Sequence, residues 1–186
     1  MKSAWESLPA QDEDGLILAV VEASSESRSK FKFEPKRGIF ELESLLPTGT
    51  AFPHSFGFVP ATRGQDGDPV DIVIMTDEPP PVSTVVRCRL VAILEAKQKQ
   101  KGKMIRNDRL LGVADCSERY RDVKEKKDVD QTVLDRIAQF FAFYHREKGQ
   151  TFLPIAWKGR STAQKALKLG MEAASHPKRR PKAPGE

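Results

Sequence analysis

Apolar residues in this chain come in strand-sized runs, and helical spacing is confined to its final third. "LILAVVEAS" (16–24) reads as a buried strand. "KFKFE" (30–34) alternates, with Phe31 and Phe33 on one face and Lys30 and Lys32 on the other; "PKRG" (35–38) turns it back into "IFELE" (39–43) as a hairpin. "VDIVIMT" (70–76) and "TVVRCRLVAILEA" (84–96) are further strands, and in the second Arg87 and Arg89 alternate with Val86, Cys88 and Leu90, so one face is core. "RLLGVAD" (109–115) returns after a turn at Gly102. In "DQTVLDRIAQFFAFYHREKG", Val133, Leu134, Ile137, Phe140, Phe141 and Tyr144 follow a helix, with Gly149 as its stop. "STAQKALKLGMEAA" opens with Ser161 and Gln164 spaced as a capping box. Strands first and two helices last predict an α+β domain, a closed or nearly closed sheet covered by helices.

The 186 residues suit one domain with a full core. We expect an N-terminal extension over 1–14, the domain over 15–175, and a disordered basic tail over 176–186, "HPKRRPKAPGE". No apolar run reaches membrane-span length, and "MKSAWESLPAQDEDG" carries no basic-then-apolar leader pattern. Cys88 and Cys116 offer neither a disulfide framework nor metal-ligand spacing, so a cytoplasmic setting is expected and both read as packed small side chains. The net charge is +5, concentrated in that tail and in "KQKQKGKMIR" (97–106). Such a balance suits an anionic partner. In a strand, Lys97, Lys99, Lys101 and Lys103 would share one side. That pattern reads either as a solvated edge protected by its lysines or as an anion-binding face.

"SLLPTGTAFPHSFGFVPATRGQDGDP" (44–69) reads as one long loop, a length usually tied to function. Its end, "DGDPVD", is built of turn residues. Yet Asp66 and Asp68 are two apart across a glycine, and Asp71 enters the strand facing opposite to Val70 and Ile72. Three converging carboxylates repel unless a cation sits between them, and oxygen-only ligands suit Mg²⁺, Mn²⁺ or Ca²⁺ rather than zinc. An EF-hand is excluded, because its required glycine would fall on Asp71.

"FPHSFGFVPATRGQDGDPVDIVI" (52–74) strongly resembles the core of the soluble inorganic pyrophosphatases. Weaker similarity runs from about Leu16 to Ala174, including "RCRLVAIL" and "AQFFAFYHREKG". The resemblance implies a small five-stranded OB-like β-barrel with two C-terminal helices packed against it. It also implies Mg²⁺-dependent hydrolysis of pyrophosphate, with Mn²⁺ as the alternative ion. Asp66 and Asp71 match metal-binding aspartates, and Asp68 the aspartate that helps activate the attacking water. Lys30 matches a phosphate-binding lysine, Glu22 an active-site glutamate, and Tyr144 a tyrosine that holds phosphate. Arg109 takes the place of a substrate-binding lysine. Family members commonly form homo-oligomers. In such a site, bridging metals neutralise the substrate oxygens and acidify water.

This chain departs from the family's pattern in one direction. Lys32 replaces a glutamate, and Ser44 an arginine unless Arg37 serves instead. Phe52 and Phe56 replace tyrosines, Ser55 an asparagine, and His145 a lysine. Of the two further metal aspartates in the hairpin near Gly102, the second becomes Asn107, or remains as Asp108 if the register slips by one. Carboxylates are lost and ammonium groups gained. Fewer divalent ions are therefore expected, with Lys32 and the hairpin lysines supplying part of the missing charge.

Three functions follow in order. The first is a divergent inorganic diphosphatase acting on pyrophosphate or a related anion. The second is a non-catalytic binder of a phosphorylated anion on the same scaffold. The third, a nucleic-acid binder using the basic hairpin and tail, ranks last because no aromatic–basic stacking face accompanies them. His54, His145 and His176 are too scattered for a metal cluster, and Trp5 and Trp157 read as packing residues.

Overall fold

The computed structural model describes residues 5–176, so the expected basic tail, His176 apart, lies outside the described residues. Nine strands and two long helices are described: β1 Ile17–Ala23, β2 Ser29–Glu34, β3 Ile39–Leu45, β4 Ser55–Val59, β5 Val70–Met75, β6 Val85–Gln100, β7 Lys103–Arg106, β8 Arg109–Ala114, α1 Gln131–Glu147, β9 Phe152–Gly159 and α2 Arg160–Ser175. Five of the strands close into a ring in the order β1-β4-β5-β8-β6, with β6 returning to β1. The β5–β8 pairing is parallel; the other pairings of the ring are antiparallel. β7 and β9 extend the sheet from β6, while β2 and β3 form a separate hairpin. The α+β class and the five-stranded OB-like barrel with its two C-terminal helices are as expected.

The ring strands are apolar on both faces because both are covered. Val73, Met75, Leu111 and Val113 pack in one cluster with Leu134, Ile137 and Phe141 of α1. Their strand neighbours Ile72, Ile74 and Leu110 pack in the other with Ala163 and Leu167 of α2. Such double burial produces continuous apolar runs rather than alternation. Arg87 and Arg89 leave the core as anticipated, pairing with Asp12 and Asp14 and with Asp115 respectively.

The structure corrects several local expectations. The long segment 44–69 is not one loop, because β4 lies inside it with all five residues buried. β4 pairs on both sides, and at Gly57 it passes so close to β1 that a Cβ would stand 1.8 Å from the Val20 carbonyl oxygen. β9 was not expected, since "FLPIAWKG" exposes residues on one face and contains a proline. Ser161 does not cap α2, which begins one residue earlier after Gly159, with no side-chain cap. Asp130 does cap α1, accepting from the Thr132 amide, and Gly149 (φ 67°) follows its end.

The hairpin lysines do not share one face. Lys101 (φ 47°) and Gly102 (φ 79°) form the turn, so Lys103 stands opposite Gln100 rather than Lys99. Cross-strand partners lie on the same face of a sheet, which separates Lys97 and Lys99 from Lys103. Gln98 and Gln100 line the cavity described next, and none of the four hairpin lysines does.

Candidate active site

A cavity of about 440 Å³ opens at the barrel mouth between the β2–β3 hairpin, the acidic turn, the β6–β7 hairpin and the end of α1. All seven residues singled out from the sequence line it: Glu22 from β1, Lys30 from β2, Asp66 and Asp68 from the turn, Asp71 from β5, Arg109 from β8 and Tyr144 from α1. The turn holds itself. Asp66 accepts a hydrogen bond from the Asp68 amide, and the Gly64 amide donates to the Asp68 carbonyl at 2.7 Å. Thr62 ties the loop to β5, its hydroxyl donating to the Val59 carbonyl and accepting from the Val70 amide.

Each carboxylate but one faces a cation. Lys30 Nζ lies 3.0 Å from Glu22 and 3.5 Å from Glu43. Burial by itself would depress the Lys30 pKa, yet Glu22, Glu43 and Asp71 outweigh it and hold the ammonium above its ordinary range. Burial pushes the Glu22 carboxyl up, and Lys30 pulls it back. Arg109 reaches Asp71 at 2.6 Å and also donates to the Asn107 side chain. Its guanidinium is enclosed by the rings of Phe56, Phe141 and Phe152 at 5.8, 5.3 and 5.0 Å. Burial raises the Asp71 pKa, with Arg109 as the main counterweight. Lys32 stands 3.9 Å from Asp68, both side chains being more than half exposed. Asp66 is pushed up to about 6 by burial and then by Asp71.

The residues read from the sequence as departures lie as follows. Asn107 lines the cavity and donates to Gln98, whereas Asp108 turns away to Arg106 and the Ala96 amide. Of the two, Asn107 is the one that lines the cavity. Arg37 does not serve in the cavity, since it pairs with Glu41 at the far end of the hairpin, and Ser44 stands in register with Lys30 without lining the cavity. Ser55 is buried and accepts from the Ser25 amide. Phe52 stacks on Phe56 as core. His145 lies flat on Phe152, with Nδ1 3.0 Å from Gln150. Burial, then Arg109, drives its pKa down to about 4, so the ring is neutral.

Sequence reasoning missed Glu43, Gln98, Gln100, Lys148 and Gln150, which also line the cavity. Lys148 sits 4.5 Å above the Tyr144 ring and 3.8 Å from Glu43. The Lys30–Ser44 register brings in Glu43, the end of α1 brings in Lys148 and Gln150, and β6, paired with β9, brings in Gln98 and Gln100; the alternation of β3 and β6 was the one available signal.

Among the described residues, no three His, Cys, Asp or Glu side chains already stand as a metal cage. The donor chemistry nevertheless suits a hard divalent ion. Asp66, Asp68 and Asp71 offer only oxygen to one cavity, and the Asp66 carboxyl is raised by burial and then by the like charge of Asp71.

Fold and site together define a small closed-barrel protein with a densely charged pocket at its mouth. The family model for inorganic pyrophosphatase matches residues 19–175. The inorganic pyrophosphatase of Nostoc sp. is 32% identical over 151 residues, covering 81% of this chain and 87% of the relative. That of Bacillus sp. is 29% identical over 155 residues, covering 83% and 92%. The crystal structure of the Thermus thermophilus inorganic pyrophosphatase superposes with a TM-score of 0.85 at 25% identity, covering 94% of this chain and all of that one. This chain belongs to the inorganic pyrophosphatase family.

Proposed function

We propose that this chain hydrolyses inorganic pyrophosphate to two phosphates with Mg²⁺, Mn²⁺ being able to replace it. The observation that carries this reading is the facing of the Asp66–Asp68–Asp71 turn and the Lys30, Arg109 and Tyr144 side chains across one cavity. Family membership supports it. Asp66 and Asp71 would hold the metal, whose chemistry when bound is to neutralise phosphate oxygens and acidify water.

The chain's own residues then have separable tasks. Lys30, kept charged by Glu22, gives a fixed positive point for one phosphate. Arg109 is held in place by the three rings around it and orients Asp71. Tyr144 offers a hydroxyl donor from α1. Asp68, the most accessible carboxylate of the turn, takes the proton from the attacking water. The water oxygen bonds to one phosphorus as the bridging P–O bond breaks and the second phosphate departs. Acceleration comes from position and electrostatics, as in phosphoryl transfer generally.

A cytoplasmic setting and a homo-oligomer complete the reading. Cys88 and Cys116, both free, support the first. The exposed apolar residues Leu42 and Leu45 on β3 and Leu153 and Ile155 on β9 support the second. Among the described residues, no helix is long and apolar enough to cross a membrane. The test is phosphate release from pyrophosphate with Mg²⁺ or Mn²⁺, and its loss in Asp68→Asn. No release at high protein concentration would reject hydrolysis and leave the anion-binding alternative.

A further inference from the structure

The charge balance of the cavity fixes how much metal the protein can hold by itself. Lys30 is shared by Glu22 and Glu43, and Lys148 also approaches Glu43. Arg109 occupies one oxygen of Asp71, and Lys32 stands beside Asp68. Among the described residues, Asp66 is the one cavity carboxylate with no cation within 4 Å. The opposite wall adds no charge. It carries Gln98, Gln100 and Asn107, with Asn107 donating to Gln98 and accepting from Arg109. Neutral amides already bonded to each other are poor rivals to carboxylates for a hard divalent ion.

Resting on the pyrophosphatase reading, we infer that the metal-loaded protein holds a single resident divalent cation per chain, between Asp66 and Asp71, and that further divalent ions enter only bound to the diphosphate. The free oxygens fit this seat. Asp66 Oδ1 is taken by the Asp68 amide and Asp71 Oδ2 by Arg109, which leaves one oxygen of each for the ion. A second ion placed near Gln98 and Asn107 would meet Arg109 and no uncompensated carboxylate. Two positive charges that close repel strongly in a partly buried cavity. A multiply negative diphosphate removes that obstacle by carrying its own counter-ions.

The test uses the full chain stripped of metal, with Mn²⁺ titrated by calorimetry and by electron paramagnetic resonance of the unbound ion. One Mn²⁺ per chain is expected, rising to two or more only after imidodiphosphate is added. Two or more per chain without imidodiphosphate, or none at all, overturns the inference. The paired variant Gln98→Glu with Asn107→Asp is expected to take up a second Mn²⁺ without imidodiphosphate, and an unchanged count of one would overturn the role given to the amides. Lys32→Glu, on a side chain more than half exposed, is expected to tighten Mn²⁺ binding by about tenfold; no change would overturn the part given to Lys32. Phosphate release measured on the same sample separates the two readings. Release with two resident ions rejects this inference and keeps the reaction, whereas one resident ion without release does the reverse.

Discussion

Arg109 meets Asp71 at 2.6 Å, and both belong to adjacent parallel strands in direct register. The arginine is 3% exposed and covered by three phenylalanine rings, while Asp71 keeps 21% of its side chain open to the cavity. Removing the cation leaves the half-buried Asp71 without its direct partner, opposed only by the more distant Lys30 and Lys32. Arg109→Met is expected to lose about 3–5 kcal/mol of stability in urea denaturation. Arg109→Lys keeps the charge but loses the planar fork and the ring contacts, so it should recover only part of that loss. Parental stability in the Met variant would refute the pairing.

Asp68 is exposed and contributes little to packing. Asp68→Asn should leave stability within about 0.5 kcal/mol of the parent. Phosphate release should fall by roughly 10²–10⁴-fold, the usual worth of a positioned general base. Unchanged release in a steady-state phosphate assay would remove Asp68 from the proton-transfer role.

Tyr144 packs its ring between Phe52 and Phe140, beneath the Lys148 ammonium, and lines the cavity. Tyr144→Phe keeps that packing and removes only the hydroxyl. The expected result is an unchanged melting temperature with kcat/KM lowered by about tenfold, one hydrogen bond to a charged ligand. A loss of stability instead would mean that the hydroxyl serves the fold.

His145 makes stability depend on pH. Its folded pKa, about 4, lies below the ordinary value of 6.5 because of burial and then Arg109, with Lys148 and Lys30 adding to it and Gln150 opposing. The unfolded chain therefore binds the proton first. The contribution is complete above about pH 6.5 and is lost as pH falls toward 4, on the order of 3 kcal/mol in all. Asp66, raised to about 6, works in the opposite direction over the same window. The parent minus His145→Gln difference in urea stability isolates the histidine. That difference should shrink steadily from pH 7 to pH 4, and a flat difference would refute the buried neutral ring.

Of the glycines described, Gly57 has the tightest surroundings. A Cβ there would overlap the Val20 carbonyl oxygen, which belongs to the backbone of β1 and cannot rotate away. Gly57→Ala should destabilise by about 3 kcal/mol or more, or yield insoluble protein, an effect of the size reserved for overpacked cores. A variant with parental melting temperature would contradict the β1–β4 spacing.

Much of the fold was legible because local pattern and burial agree. The runs at 16–24, 70–76 and 84–96 are strands buried on at least one face, and α1 shows its apolar stripe and its stop near Gly149. β4 was not legible, since Phe56, Gly57 and Phe58 sit among turn residues and only pairing with β1 and β5 makes them a strand.

The site divides the same way. The acidic turn is contiguous, so residue order alone determined that Asp66, Asp68 and Asp71 would stand near one another, and the motif around them pointed to Lys30, Glu22 and Tyr144. Which charges oppose them was decided by tertiary structure. The pairing of β6 with β9 turned Gln98 and Gln100 to the cavity, and a two-residue turn at Lys101–Gly102 placed Lys103 on the face opposite to Lys97 and Lys99. Closure of the barrel then laid Arg109 beside Asp71. Residue identity is local, but the sign of the field in a pocket is a sum over strands that only packing brings together.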